Sequence, residues 1–182
     1  MQNFVVADDV RIATSRGHDI LAVNDVVVGD DFRTSLSRGN DQIAINGLDV
    51  GGNTRILTGS GRDSILGANI TLAGKLTLLT GSGNDFVAVS DIQVGNSTLV
   101  SMSSGADRLA ILGASIFANK LHLSGGSGRD EVFVADTVDT ARTPRIRSMR
   151  NSSSESAEQS INSAIDRLMS SGISIGDILQ MA

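Results

Sequence analysis

Hydrophobic residues recur in pairs two positions apart through residues 3–139, and the pattern returns after 22 or, once, 23 residues. A period of two is typical of β-strands, because alternate side chains of a strand point to opposite faces. Each repeat holds three such pairs, which predicts three short strands joined by turns. The first pair of each repeat is Leu21/Val23, Ile43/Ile45, Ile65/Gly67, Val87/Val89, Leu109/Ile111 and Val132/Val134.

A three-residue word, G-x-D, precedes the first strand of each repeat. Its glycines are spaced by 22, 22, 22, 22 and 23 residues, which indicates a repeat architecture. A second turn holds Asp, Asn or Gly, the residues that most readily take left-handed backbone. The words are Gly17-His18-Asp19, Gly39-Asn40-Asp41, Gly61-Arg62-Asp63, Gly83-Asn84-Asp85, Gly105-Ala106-Asp107 and Gly128-Arg129-Asp130. The second turn position is Asp25, Gly47, Asn69, Asp91, Gly113 and Asp136.

A unit of three short strands cannot bury an apolar face alone, but a stack of such units can. Equivalent strands then pair in parallel, and parallel crossovers are strongly right-handed. The sequence therefore predicts an all-β fold over residues 1–140. This is a right-handed parallel β-helix of about six coils, with three short strands per coil.

The remaining residues, 141–182, have a different pattern. An arginine-rich stretch (Arg142, Arg145, Arg147, Arg150) and a serine-rich linker precede an apolar row at helical spacing, Ile161, Ile165 and Leu168. We expect a C-terminal α-helical cap, because the last coil of a β-helix leaves a strand edge and a core end open. The alternative is a helix that binds a partner or a second copy.

Composition narrows the function classes. The chain has 182 residues and a net charge of −5, with no Cys, Trp or Tyr. This excludes disulfides and thiolate metal sites, and with only five Phe it nearly excludes an aromatic platform for stacking bases or sugars. No apolar run approaches the roughly 20 residues of a membrane span. Four clustered arginines without aromatic residues do not indicate nucleic-acid binding.

The fullest repeat words are GSGRDSIL (59–66), GSGNDFVAV (81–89) and GGSGRDEVFV (125–134). They resemble the calcium-binding nonapeptide of RTX proteins, which implies Ca²⁺ at the turn. The whole 22-residue unit is similar to the tandem repeats of large secreted or surface proteins of planctomycete-type bacteria. That resemblance implies an extracellular or envelope location and a structural or adhesive role. RTX repeats recur every nine residues, so an RTX β-roll is not expected.

The aspartates of the G-x-D words are expected to stack along one corner, where like charges repel. Backbone N–H groups of each turn can offset the repulsion, as can flanking arginines or Ca²⁺ bound between coils. The first two readings make the column architectural, and the third makes it a metal site. The candidate ligands are Asp63, Asp85 and Asp130, followed by Asp41, Asp107 and Asp19. The flanking arginines are Arg16, Arg38, Arg62, Arg108 and Arg129.

A second column lies between two inward positions of the first strand and should point outward. It is apolar, although solvated strand faces usually carry polar residues. Small residues are either merely tolerated there, or the column docks the C-terminal helix or another copy. Self-association through this column, the helix or the β-helix end is the partner prediction. The column is Ala22, Ala44, Leu66, Ala88, Ala110 and Phe133.

These observations favour a non-catalytic structural or adhesive β-helix segment of a bacterial secreted or cell-surface protein. The alternative is a calcium-binding module built on the aspartate column, and Ca²⁺ is the only cofactor suggested. A polysaccharide lyase or hydrolase is a distant third reading. The near-constant repeat leaves no loop long enough to wall a cleft, and function usually lives in such loops.

Overall fold

The computed structural model describes residues 1–151, which form a parallel β-solenoid of about seven turns. In these residues nineteen strands make two sheets, a first sheet of ten strands and a second of nine. In the long runs, each strand pairs in parallel with its equivalent one coil away, as Ile43 with Ile65 and Arg33 with Arg55. The predicted all-β parallel solenoid is confirmed, with about one turn more than expected.

The first sheet contains β1 (Gln2–Val6), β3 (Ile20–Val28), β5 (Gln42–Val50), β7 (Ser64–Leu72), β9 (Phe86–Val94), β12 (Arg108–Leu112), β13 (Ile116–Phe117), β16 (Glu131–Val134), β17 (Asp139–Thr140) and β19 (Arg150–Asn151). The second contains β2 (Val10–Ala13), β4 (Phe32–Ser35), β6 (Thr54–Ser60), β8 (Leu76–Ser82), β10 (Thr98–Ser101), β11 (Ser104–Gly105), β14 (Leu121–Ser124), β15 (Ser127–Gly128) and β18 (Arg145–Arg147).

The first two predicted strands of a coil are one bent strand in the middle of the solenoid. β3, β5, β7 and β9 each run for nine residues through the second turn position. The bend is a single residue with positive φ, such as Asn69 at 54° and Asp91 at 52°. Because one left-handed residue turns the chain without breaking the ladder, three separate strands per coil were an overcount in these coils. The later coils keep the first two strands apart, as β12 and β13 and as β16 and β17. Asp136 is not among the residues with positive φ.

Aliphatic side chains from both sheets fill the interior in stacked columns. The core includes Ile43, Ile65 and Val87 from the first sheet and Leu78 and Val100 from the second, all at most 4% exposed. Each repeat buries its apolar face only against its neighbours, so the stack itself supplies the hydrophobic stabilisation.

Glycine is required in the G-x-D word because the coils approach closely there. Gly83 has a φ of 136°, and an added Cβ would overlap the carbonyl oxygen of Gly61. Gly105 has a φ of 149°, and a Cβ there would overlap the Gly83 carbonyl oxygen in the same way. The glycine column therefore sets the close stacking of this corner.

The strands continue past residue 140, where the sequence places the end of the repeat domain. β18 pairs with β14, and β19 pairs with β16, so part of the arginine-rich stretch belongs to the solenoid. The predicted C-terminal helix, with Ile161, Ile165 and Leu168, lies outside the described residues. Within residues 1–151, no helix is long and apolar enough to cross a membrane.

Candidate functional site

The aspartates of the G-x-D words lie inside the solenoid. Asp41, Asp63 and Asp107 are 0% exposed, and Asp85 and Asp130 are 2% exposed, whereas Asp19 is half-buried. The aspartates form a column because equivalent residues of successive coils stand in register. It ends at the last described coil, where pairing of Glu131 with Arg150 places Met149 in the aspartate position.

One carboxylate oxygen of each aspartate from Asp41 onward joins two coils. The backbone N–H of Asp41 donates to Oδ1 of Asp63 at 2.8 Å, and that of Asp63 donates to Oδ1 of Asp85 at 2.9 Å. The same bond recurs at the other steps, at 2.8–3.1 Å. The sequence predicted N–H partners within each aspartate's own turn. They lie instead one coil earlier, because the glycine turn brings neighbouring coils so close.

The second oxygen, Oδ2, is buried without a hydrogen-bond partner in the described structure. This holds for Asp19 and for every deeper member of the column. The Thr58 hydroxyl lies beside Asp63 and also within hydrogen-bond distance of the Thr80 carbonyl oxygen, at 3.0 Å. Burying a carboxylate oxygen that has no hydrogen-bond partner is energetically costly.

Burial raises the pKa of three members of the column. It raises that of Asp107 to about 7, with help from the Asp85 and Asp130 carboxylates and against the Asp85 N–H. Burial also raises the pKa of Asp63 and of Asp85, opposed by backbone N–H groups and by the hydroxyls of Thr58 and Thr80.

The residue at the threonine position explains why Asp107 is the extreme case. Thr58 and Thr80 stand five residues before Asp63 and Asp85, and Met102 stands five residues before Asp107. A thioether offers no hydroxyl proton, so nothing at this position favours the charged form of Asp107.

Within residues 1–151, no arginine forms an ion pair with a column aspartate, so the predicted arginine screen is not seen there. The ion pairs that the structure describes are Arg11–Asp9, Arg33–Asp9, Arg33–Asp31 and Arg108–Glu131, all on the surface and none with a column aspartate. An arginine head cannot follow a carboxylate into the apolar interior without its own desolvation cost. Of the three proposed ways to offset the repulsion between the aspartates, the structure shows backbone hydrogen bonding.

Metal ligation by the column has little structural support in the described part of the chain. Residues 1–151 contain no group of three or more His, Asp or Glu side chains that could hold a metal ion. Oδ1 of Asp41, Asp63, Asp85, Asp107 and Asp130 already accepts a backbone N–H. The predicted site at these residues and Asp19 therefore stays a prediction, which the melting experiment below addresses.

A second carboxylate column on the surface was not singled out from the sequence. The Asp31 N–H donates to Oδ1 of Asp9 at 3.1 Å, and the Asn53 N–H donates to Oδ1 of Asp31 at 2.6 Å. The Asp31 N–H, with the nearby Arg11 and Arg33 cations, holds the pKa of Asp9 below its usual range. The 22-residue spacing of Asp9 and Asp31 was the available signal.

The variable middle residue of the G-x-D word also joins coils. His18 Nδ1 accepts the Asn40 N–H at 2.7 Å, and Asn40 Oδ1 accepts the Arg62 N–H at 2.8 Å. Asn84 Oδ1 likewise accepts the Ala106 N–H at 2.8 Å. The residue type at this position changes from repeat to repeat, but His and Asn share a side-chain acceptor.

The predicted apolar column stands in register on the first sheet. Ala44 pairs with Leu66, Leu66 with Ala88, and Ala88 with Ala110. Ala22 and Phe133 extend the column at its two ends. It belongs to a face that the interior core does not use.

Comparison with family models finds none that matches this chain, and comparisons with the curated proteins and with the solved structures find no significant similarity.

Proposed function

We propose that this chain is a non-catalytic structural segment of a bacterial secreted or cell-surface protein, with its aspartate column serving as internal architecture. The observation that carries the proposal is that Oδ1 of the column aspartates accepts a backbone N–H of the neighbouring coil. The carboxylates that could carry chemistry are buried and accept backbone N–H groups between coils. Catalytic and metal-binding carboxylates need access to a substrate or an ion, which this column does not offer.

The secreted or surface location and the adhesive role are supported by the resemblance of the 22-residue unit to bacterial surface repeats. An elongated stack whose coils contact only their neighbours is suited to spacing or display. The fold supports the structural role and the repeat pattern supports the location, so separate experiments test the two.

Thermal unfolding of the whole chain tests the structural role against calcium binding. The midpoint is measured in EGTA, in millimolar Ca²⁺ and in millimolar Mg²⁺. A ligand at about 100 times its dissociation constant stabilises a protein by roughly 2.7 kcal/mol, a shift of several degrees. We expect the same midpoint in all three conditions.

A rise with Ca²⁺ alone would overturn the architectural reading. Asp85→Asn is the matched variant, because Asn keeps an oxygen for the Asp63 N–H and loses the carboxylate charge. A Ca²⁺-specific rise that disappears in Asp85→Asn would assign the ion to the column.

Protease treatment of intact producing cells tests the location. We expect the chain to be digested on intact cells or recovered from the medium, while a cytoplasmic marker stays protected. Protection of both proteins until lysis would reject the surface assignment.

A further inference from the structure

A small hydrophobic patch lies on the outer face of the first sheet, apart from the core. We call it the outer patch; its members are Leu66, Phe86, Ala88, Ala110, Leu112 and Phe133. We propose that residues 152–182 of the same chain dock on the outer patch. This inference does not depend on where the protein is located.

The outer patch faces away from the coil interior because its residues alternate with core residues. Phe86 and Ala88 flank Val87, which packs in the core, whereas they form a separate cluster with Ala110. Phe86 is 9% exposed and Ala110 is 2% exposed. The outer patch holds two of the chain's five Phe residues, and exposing such a face to water would be costly.

The described part of the chain supplies no element to cover this face. All nineteen strands of residues 1–151 belong to the two solenoid sheets. The cover must therefore be residues 152–182 or another molecule.

The position of β19 favours residues 152–182. Arg150 pairs with Glu131, and Asn151 pairs with Val132. Val132 is the chain neighbour of Phe133, the member of the outer patch nearest the C-terminal end. The described residues therefore end at the edge of the outer patch, so docking of residues 152–182 there needs no long connection.

The spacing of apolar residues in the segment fits the size of the outer patch. Ile161, Ile165 and Leu168 lie at helical spacing, and at 1.5 Å per residue they span about 10 Å. The outer patch extends over four strands from Leu66 to Phe133, about 14 Å at the usual strand spacing. A segment lying across the strands can therefore set its apolar row along the outer patch.

Trypsin cleavage at Arg167 reports docking in the full chain, because Arg167 is the only Lys or Arg in residues 152–182. Cleavage of a docked segment requires its release, so the rate follows the released population. Ala110→Asp places a charge in the outer patch. We expect it to speed cleavage at Arg167 by at least about tenfold, as followed by mass spectrometry.

Leu99→Asp is the matched control. Leu99 lies on the second sheet and is 40% exposed, so a charge there should leave the rate unchanged. Equal rates in the wild type and in Ala110→Asp would overturn the proposal. A rate that depends on protein concentration, with a dimer lost in Ala110→Asp, would also overturn it by making a second copy the occupant.

Cysteine pairs give a second measurement that does not depend on a disruptive charge, since the chain has no native Cys. Oxidation of Ala88→Cys combined with Ile165→Cys should give an intramolecular disulfide at low protein concentration. Leu99→Cys combined with Ile165→Cys should not. No crosslink in the first pair, or equal crosslinking in both, would reject docking on the outer patch.

Discussion

Two carboxylate columns on this solenoid make the same hydrogen bond in opposite surroundings. In each, an aspartate oxygen accepts a backbone N–H from the neighbouring coil, as Asp85 does for Asp63 and Asp9 does for Asp31. The buried column leaves its second oxygens unpaired, and burial raises the pKa of Asp107 to about 7. On the surface, an N–H and two arginines lower the pKa of Asp9.

The comparison shows that the N–H bond alone does not decide the charge of an aspartate. Both columns have that bond, yet the pKa of Asp107 is raised and that of Asp9 is lowered, because only Asp107 is cut off from water and cations. The buried column joins coils through oxygens that need no charge. On the surface, Asp9 makes the same bond, and its charge is favoured by the Asp31 N–H and by Arg11 and Arg33.

The largest expected effect concerns the tight stacking that buries the first column. Gly83→Ala should lower the free energy of unfolding by more than about 3 kcal/mol, because the methyl group meets the Gly61 carbonyl at a φ of 136°. Gly17→Ala is the control, with a φ of 146° and no atom within 4 Å of the added Cβ. Chemical denaturation measures both. Equal losses would mean that backbone strain, and not stacking, requires the glycine.

The second-largest expected effect is on the pH dependence of stability. The contribution of Asp107 to the free energy of unfolding should fall as the pH rises, whereas that of a carboxylate with a lowered pKa increases. A folded pKa of about 7 against an unfolded value of about 3.9 means that the folded state binds more protons between them. The stabilisation is therefore complete below about pH 4 and is lost as pH rises through 7. From pH 5 to pH 8, wild type should lose about 3 kcal/mol relative to Asp107→Asn. Asp9→Asn should not become more stable relative to the wild type between pH 5 and pH 8. A constant difference between wild type and Asp107→Asn would contradict the raised pKa.

The third effect comes from removing the aspartate oxygen that accepts the N–H of the neighbouring coil. The loss in the free energy of unfolding should be larger in the buried column than in the surface column. At pH 5, Asp85→Ala leaves the buried Asp63 N–H without its acceptor and should cost about 2 kcal/mol. Asp31→Ala should cost less than about 1 kcal/mol, because Asn53 is exposed and water can replace the acceptor. Similar losses at both sites would show that burial does not distinguish the columns.

The smallest expected effect tests why the pKa of Asp107 is raised more than those of Asp63 and Asp85. Met102→Thr places a hydroxyl where Thr80 stands in the preceding coil, and should lower the pKa of Asp107. Met102→Val is the control for the lost volume, because Val and Thr have nearly the same shape. If both variants give the same Asp107 pKa by NMR titration, the hydroxyl is not the cause.

The repeat period alone predicted most of the fold. Spacing placed the parallel coils, the interior aliphatic columns and the stacking of the aspartates. The repeat period did not predict that the aspartate side chains point into the solenoid, because that direction follows from the positive φ of glycines such as Gly83. Charged residues are rarely fully buried, so a surface corner with arginine partners was the natural expectation for Asp85.

The bent strands show a similar limit. Asn69 was correctly predicted as a left-handed turn residue, but a turn was taken to end the strand. In the structure β7 passes through Asn69 and keeps its partners on both sides. Pairing across a bend depends on the neighbouring coils having the same bend, a property of the stack that no single repeat contains.

The most direct test of the buried architectural column is a pH titration of the aspartate carboxyl carbons by NMR. Assignment uses Asp107→Asn and Asp9→Asn in otherwise unchanged chains. We predict that Asp107 titrates at a pKa of about 7 and that Asp9 titrates below its usual range. Titration of Asp107 at the ordinary aspartate value of about 3.9 would mean an ionised or metal-bound column, and would contradict the account.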